Sequence, residues 1–263
     1  MWTTSRLMQA AICLLSSACS AAAPKAAVSS SAPFDLRTVA GFETPWAMDF
    51  LPGSGLPLLH AALLSERDGR LWLVDVDAGT KKAVGGVPEV LVAGQGGLGD
   101  VVADPDFAGN RRVYLSYVEP GADGTSGAVV GYGTLERIDG APVLAGFKVI
   151  WRQDPKVEGD GHFSHRIAFG PDGMLYLTSG ERQQFDPAQD MGGNLGKVLR
   201  LTKDGQPAPG NPWASQGGIA AQFWSIGHRN LLGLAFAPDQ RLWESEMGPR
   251  GGDELNLIRP GRN

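Results

Sequence analysis

His162 and Glu181 are the residues whose types and spacing first suggest chemistry. The stretch Gly159-Asp160-Gly161-His162-Phe163-Ser164-His165-Arg166 delivers two imidazoles and a guanidinium, and an apolar segment, a turn and a second segment then lead to Ser179-Gly180-Glu181. A carboxylate beside an imidazole sets its tautomer and raises its basicity, so the pair could serve as a general base. Taken alone, the two residues fit equally the solvated rim of a loop, because structural ion pairs give the same pattern.

The elements between them decide whether they can meet. Pro171-Asp172-Gly173 has turn chemistry, with φ set by the proline and a positive φ open to the glycine, so Arg166 to Phe169 and Met174 to Thr178 are predicted as antiparallel strands. The residues before the first strand and after the second then lie at one open end.

The same pattern of apolar strand, proline-containing turn and β-rich strand returns along the chain. Its first strands are Ala47 to Leu51, Val101 to Asp104, Ile167 to Gly170 and Leu234 to Ala237, and the following prolines at 52, 105, 171 and 238 recur at about fifty to seventy residues. The corresponding second strands are expected at Leu71 to Val74, Arg112 to Tyr117, Met174 to Thr178 and Arg241 to Glu244. That period matches a four-stranded blade, and the expected fold is an all-β propeller with about four blades. The 37 glycines and 18 prolines, with no long amphipathic helix, agree with many turns.

A formal charge of −5 and a charged fraction of 19% argue against nucleic acid as a partner, because phosphate binding needs a basic surface. At the N-terminus Arg6, the apolar run Leu7 to Leu15 and small residues through Ala23 have the order of a signal peptide, expected over residues 1–23. Cys13 and Cys19 are the only cysteines, so the body after the leader has no disulfide. Leu15-Ser16-Ser17-Ala18-Cys19 loosely resembles a lipoprotein box, so lipidation of Cys19 and plain cleavage after Ala21 or Ala23 are both open. Residues 24–33 are read as a flexible tether and 34–263 as the propeller domain. The chain is expected to be exported to the periplasm.

Three further segments carry polar groups just outside the predicted strands. Gly94-Gln95-Gly96-Gly97-Leu98-Gly99-Asp100 lets backbone approach a ligand and offers one amide, yet it lacks the Lys-Ser/Thr end of a phosphate loop and fits a crossover loop as well. Gly227-His228-Arg229-Asn230 precedes the fourth repeat as Gly161-His162 precedes the third. Glu244-Ser245-Glu246-Met247-Gly248-Pro249-Arg250-Gly251-Gly252-Asp253-Glu254 offers carboxylates and carbonyls suited to a hard cation, without EF-hand spacing, and reads otherwise as an acidic turn. Arg166 is expected to clamp neighbouring blades.

These segments, in this order and at matching repeat positions, resemble the soluble aldose sugar dehydrogenases dependent on pyrroloquinoline quinone (PQQ), the glucose/sorbosone dehydrogenase family. The resemblance runs over essentially all of 34–263 and implies a six-bladed propeller whose channel mouth holds PQQ and Ca²⁺. By position it implies His162 as the base that takes the anomeric proton, Glu181 as the acid that orients it, Gln95, His162, Arg229 and Asn230 as cofactor contacts, and Arg229 as a catalytic group that stabilises charge developing on the quinone oxygen. It also implies Gly248 and Pro249 as carbonyl ligands of the cofactor's Ca²⁺ and Glu254 as a ligand of a further calcium. The implied substrate is an aldose, and the electron acceptor is unidentified. Gly161 stands where some members have Asp, which implies an altered sugar preference. The family continues past the position of Asn263, so a truncated member is expected, with part of the cofactor site and two blades outside it and an unpaired apolar flank. A calcium-dependent propeller lactonase and a non-catalytic propeller scaffold are the competing readings.

Overall fold

In the computed structural model the described residues are 34, 36–53 and 60–263. The leader, both cysteines and most of the tether lie outside them. Residues 38–263 form one unit of four antiparallel sheets. Sheet one is β1 (Pro45–Phe50), β2 (Ala61–Glu66), β3 (Arg70–Asp75) and β4 (Thr80–Ala83). Sheet two is β5 (Leu98–Ala103), β6 (Arg112–Pro120), β7 (Ser126–Ile138) and β8 (Ala141–Arg152). Sheet three is β9 (Ser164–Phe169), β10 (Leu175–Ser179), β11 (Lys197–Leu201) and β12 (Phe223–Ile226), and sheet four is β13 (Leu231–Phe236), β14 (Leu242–Glu246) and β15 (Glu254–Ile258). Each sheet is a meander in chain order, the blade of a propeller.

The predicted hairpin in the third blade is present: Phe169 faces Leu175, and the turn closes through Gly173 N–H to the Gly170 carbonyl at 2.9 Å. The first blade corrects the sequence reading. The partner of β1 is β2, and Leu71 to Val74 belong to the third strand. In that blade Asp68-Gly69 turns β2 into β3, so the turn chemistry marks the second hairpin rather than the first.

The blades stack through apolar seams. Leu63, Leu71, Leu98, Phe107, Val113 and Leu115 fill the first, and Tyr114, Phe163, Ile167, Leu177, Leu199 and Phe223 the second. A smaller seam joins Tyr176 and Val198 to Leu231, Leu242 and Ile258. Alternation along β6, β10 and β11 turns β-branched, aromatic and leucine side chains into both seams, which is why these strands are buried on both faces. The inner strands β1, β5, β9 and β13 lie side by side. Polar side chains join them: Asp49 accepts the Ala103 N–H at 2.7 Å, Asp100 accepts the Ile167 N–H at 2.8 Å, and Ser164 accepts the Leu231 N–H at 2.8 Å. Trp46, Met48 and Phe50 of β1, with Leu232 and Leu255, are exposed.

Where an inner strand pairs with its neighbour, the register is irregular near its N-terminal end, between Leu98 and Val101, opposite Leu177 and Ser179, and between Leu231 and Gly233. Bulges of this kind re-aim side chains at the rim of a sheet. The segments around 94–100, 162–166, 227–230 and 246–254 lie at or next to that rim.

Candidate active site

His162 and Glu181 meet at the open end of the β9–β10 hairpin. Nδ1 of His162 is hydrogen-bonded to Glu181 Oε1, and the two side chains are 3% and 1% exposed. The second carboxylate oxygen accepts the Phe185 N–H at 2.7 Å, so Glu181 is held at both oxygens. With Nδ1 engaged, Nε2 is the nitrogen free for other work. Gln95 accepts the backbone N–H of His162 at 2.8 Å, which ties the glycine-rich segment before β5 to the base. Gly180 passes so close to the His162 carbonyl that a Cβ there would lie 1.9 Å from the oxygen, so only glycine permits the approach.

The backbone around this pair is unusual. Among the described residues eleven non-glycine residues have positive φ, and His162, Ser164, His165, Arg182, Gln183 and Phe185 are six of them. Such conformations persist only where the surroundings over-determine them, and they gather at functional sites. Arg182 supplies much of that constraint. It is 1% exposed, its guanidinium lies 3.8 Å from the Phe163 ring centre, and it donates to the carbonyls of Gly161 at 2.9 Å and Ser126 at 2.6 Å and to that of Gly159. Burial lowers its pKa to about 10, only partly offset by Asp160 and Glu181. The loop that presents His162 is thus fastened from below by a buried cation.

Behind the base, His165 and Asp100 are buried in the seam between the second and third blades. His165 Nδ1 is 2.8 Å from Ser116 Oγ, and desolvation with the neighbouring Arg166 lowers its pKa to about 3, so it stays neutral. Burial raises the Asp100 carboxyl to about 6, although Arg166 lies 3.4 Å away and the Ile167 N–H bonds to it. Arg166 therefore does bridge the two blades. It begins in one and pairs with an acid of the other.

The rim continues into the fourth blade without a break. The Glu181 N–H donates to the Arg229 carbonyl at 2.9 Å, Arg229 N–H to Glu246 Oε2 at 2.7 Å, and Arg229 Nη1 to the Met247 carbonyl at 2.6 Å. Met247 immediately precedes Gly248, so Gln95, His162, Glu181, Arg229 and the 248 loop form one connected chain of hydrogen bonds. Arg229 Nε and Asn230 Nδ2 are buried with no partner, and Asn230 Oδ1 accepts from Ser164 at 3.2 Å. Buried donors are rarely left unpaired, so these two point to a ligand with acceptor atoms. In the next loop Gly248 packs against Gly252, where a Cβ would lie 1.7 Å from the carbonyl oxygen, and its N–H donates to Asp253 at 3.0 Å. Pro249 and Glu254 are exposed at this rim, and Glu254 faces Glu246 across β14 and β15.

Sequence reasoning missed Arg182 and gave Glu246 no role beyond its place in an acidic segment. Arg182 follows Glu181 in a polar stretch, and nothing local signals that its side chain will turn inward. Glu246 sits at the end of β14 as Glu181 follows β10, and the repeat itself was the signal that could have found it.

The meander blades, side-by-side inner strands and a rim carrying a histidine–glutamate pair with unpaired donors define a β-propeller with a ligand site at one end of its inner strands. The family model for glucose/sorbosone dehydrogenase matches residues 42–263. The chain belongs to that family. It is 42% identical over 220 residues to aldose sugar dehydrogenase YliI of Escherichia coli, covering 83% of this chain and 57% of that protein. Identity to quinoprotein glucose dehydrogenase B of Acinetobacter calcoaceticus is 30% over 243 residues, 77% of this chain and 48% of the relative. The chain thus spans about half the length of these relatives. Among solved structures, the apo form of the E. coli soluble aldose sugar dehydrogenase superposes with TM-score 0.78 at 41% identity, over 84% of this chain and 62% of that one. The PQQ-bound aldose sugar dehydrogenase of Streptomyces coelicolor superposes with TM-score 0.72 at 37% identity, over 87% and 64%.

Proposed function

We propose that this chain carries the base and quinone-contacting residues of a PQQ- and Ca²⁺-dependent dehydrogenase that oxidises aldoses to lactones. The observation that carries the reading is the junction of the His162–Glu181 pair with the unpaired buried donors of Arg229 and Asn230 through one backbone hydrogen bond. Those donors fit a ligand rich in carbonyl and carboxylate oxygens, and the exposed Gln95 accepts the backbone N–H of His162. The carbonyls of Gly248 and Pro249 are the hard-oxygen donors that would hold Ca²⁺, and Glu254 would contribute to a further calcium. When bound, PQQ would supply the hydride acceptor that side chains lack, and Ca²⁺ would supply Lewis-acid activation.

Glu181 fixes Nδ1 of His162 and so leaves Nε2 to take the anomeric hydroxyl proton. Loss of that proton relieves the positive character that develops on the sugar carbon as hydride leaves. Glu181 then stabilises the imidazolium, and the guanidinium of Arg229 stabilises negative charge on a neighbouring oxygen. Gly161 removes a side chain beside the base and so is expected to alter the preference among sugars. The signal-peptide pattern at 1–23 supports action outside the cytoplasm with an external electron acceptor, either free or lipid-anchored through Cys19. Among the described residues no helix is long and apolar enough to cross a membrane.

The test is dye reduction by aldoses in the protein carrying this sequence, loaded with PQQ and Ca²⁺. Aldose-dependent reduction that disappears without PQQ is expected. Demonstrable PQQ binding with no reduction by any aldose overturns the reading.

A further inference from the structure

We propose that His228, Glu244 and Glu246 form a site for a borderline divalent metal ion of the zinc class, bracing the strand pair that carries Arg229 and Gly248. Each of the three is buried, and one ligand atom from each lies within 4.8 Å of the other two. His228 Nδ1 is 3.9 Å from Glu246 Oε1. That gap is too long for a hydrogen bond, yet an ion about 2.1 Å from both atoms at a wide angle would span it. His228 Nε2 is 2.7 Å from Ser225 Oγ, which holds the ring by its far nitrogen and turns Nδ1 toward the acids, the support a metal-binding imidazole normally has.

Glu244 is the independent sign of a missing ligand. It is 1% exposed, and its Oε1 is buried with no partner. The amide of Asn256 reaches its other oxygen only at 3.3 Å and Glu246 Oε1 at 3.4 Å. Among the described residues no lysine or arginine side chain forms a salt bridge with either carboxylate. Two acids are thus buried together beside one imidazole, the Asn256 amide and the Arg229 backbone N–H, with Glu254 close by, an arrangement that a divalent cation would neutralise. A cavity of about 200 Å³ lined by His228, Glu246, Glu254 and Asn256 gives an ion access from the surface.

One nitrogen and two carboxylates select a zinc-like ion over Ca²⁺, which takes six to eight oxygens. The site adjoins Glu254, assigned to calcium above, which lines the same cavity and faces Glu246 across the strand pair, but its donor set differs from that of the calcium positions in including an imidazole. Because Glu246 also accepts the Arg229 N–H at 2.7 Å, an ion there would fix the backbone of the quinone-contacting pair.

The experiment is calorimetric titration of chelator-treated, Ca²⁺-replete protein with ZnCl₂ alone, followed by thermal unfolding with and without zinc. One equivalent is expected to bind and raise the melting temperature. Glu244→Gln and His228→Ala are expected to weaken binding about a hundredfold, while His60→Ala, which removes the exposed His60–Asp77 pair, leaves it within about twofold. If His228→Ala fails to fold, the isosteric Glu244→Gln decides. Absence of stoichiometric binding, equal binding by wild type and Glu244→Gln, or binding abolished by additional Ca²⁺ overturns the proposal.

Discussion

Two histidine–glutamate pairs occupy equivalent places in consecutive blades, and they are completed differently. His162 precedes β9 and Glu181 follows β10, while His228 precedes β13 and Glu246 ends β14. In the third blade the imidazole and carboxylate are in direct contact, and the remaining carboxylate oxygen takes a backbone N–H. In the fourth the two groups stand 3.9 Å apart, the histidine turns its other nitrogen to Ser225, and unpaired atoms surround them on Arg229, Asn230 and Glu244. Where the imidazole and carboxylate satisfy each other, the blade end holds the pair in a set geometry. Where it leaves them unsatisfied, it keeps room for something from outside.

Replacing His162 by Ala is expected to cause the largest effect, a loss of about a thousandfold in PQQ-dependent dye reduction with quinone affinity little changed. An equal loss of turnover in His228→Ala would break the comparison. Arg182→Ala should come next, destabilising the protein by about 3 kcal/mol in urea unfolding, because it leaves carbonyls of the base loop unpaired and empties a stacked position. Retained stability there would mean that the loop is held by its other contacts.

The third prediction concerns pH and the seam behind the base. His165 has a folded pKa of about 3 against an ordinary 6.5, so the unfolded chain takes up a proton first as pH falls. Stability is therefore present above pH 6.5 and lost toward pH 3, with a slope of at most about 1.4 kcal/mol per pH unit. Urea midpoints measured across that range should fall less steeply for His165→Asn than for wild type. The smallest effect sharpens the contrast from the other side: Asn230→Ala should lower PQQ affinity about fivefold, read by quinone fluorescence titration, while costing under about 1 kcal/mol of stability. A reversed pattern, with stability lost and affinity kept, would place Asn230 among the structural residues.

Much of the blade pattern was legible in the chain. Pro171-Asp172-Gly173 with strands on either side sufficed to bring residues 162 and 181 together, because a hairpin is a local object whose ends must meet. In the first blade the same reasoning assigned Leu71 to Val74 one strand too early, since two successive hairpins with similar turns look alike without their pairing partner. Arg182 and Lys197 were not legible at all. Lys197 is wholly buried, with Nζ bonded to the carbonyls of Pro187, Ala188 and Leu195 at 2.8, 3.0 and 2.7 Å, and burial lowers its pKa to about 8. A long cationic side chain is almost always a surface residue by type, and only a cage of inward-facing carbonyls reverses that preference.

By itself the amino-acid order determined the alternation of strand and turn, the repeat, and that His162 and Glu181 flank one hairpin, because each depends on residues close along the chain. The tertiary structure decided which polar atoms find partners. Whether a buried donor is satisfied depends on neighbours contributed by other blades, as Asp100 meets the Ile167 N–H and Ser164 the Leu231 N–H, and no local pattern encodes the distance between them. The difference between a closed histidine–carboxylate pair at 162 and 181 and an open cluster at 228, 244 and 246 arises there.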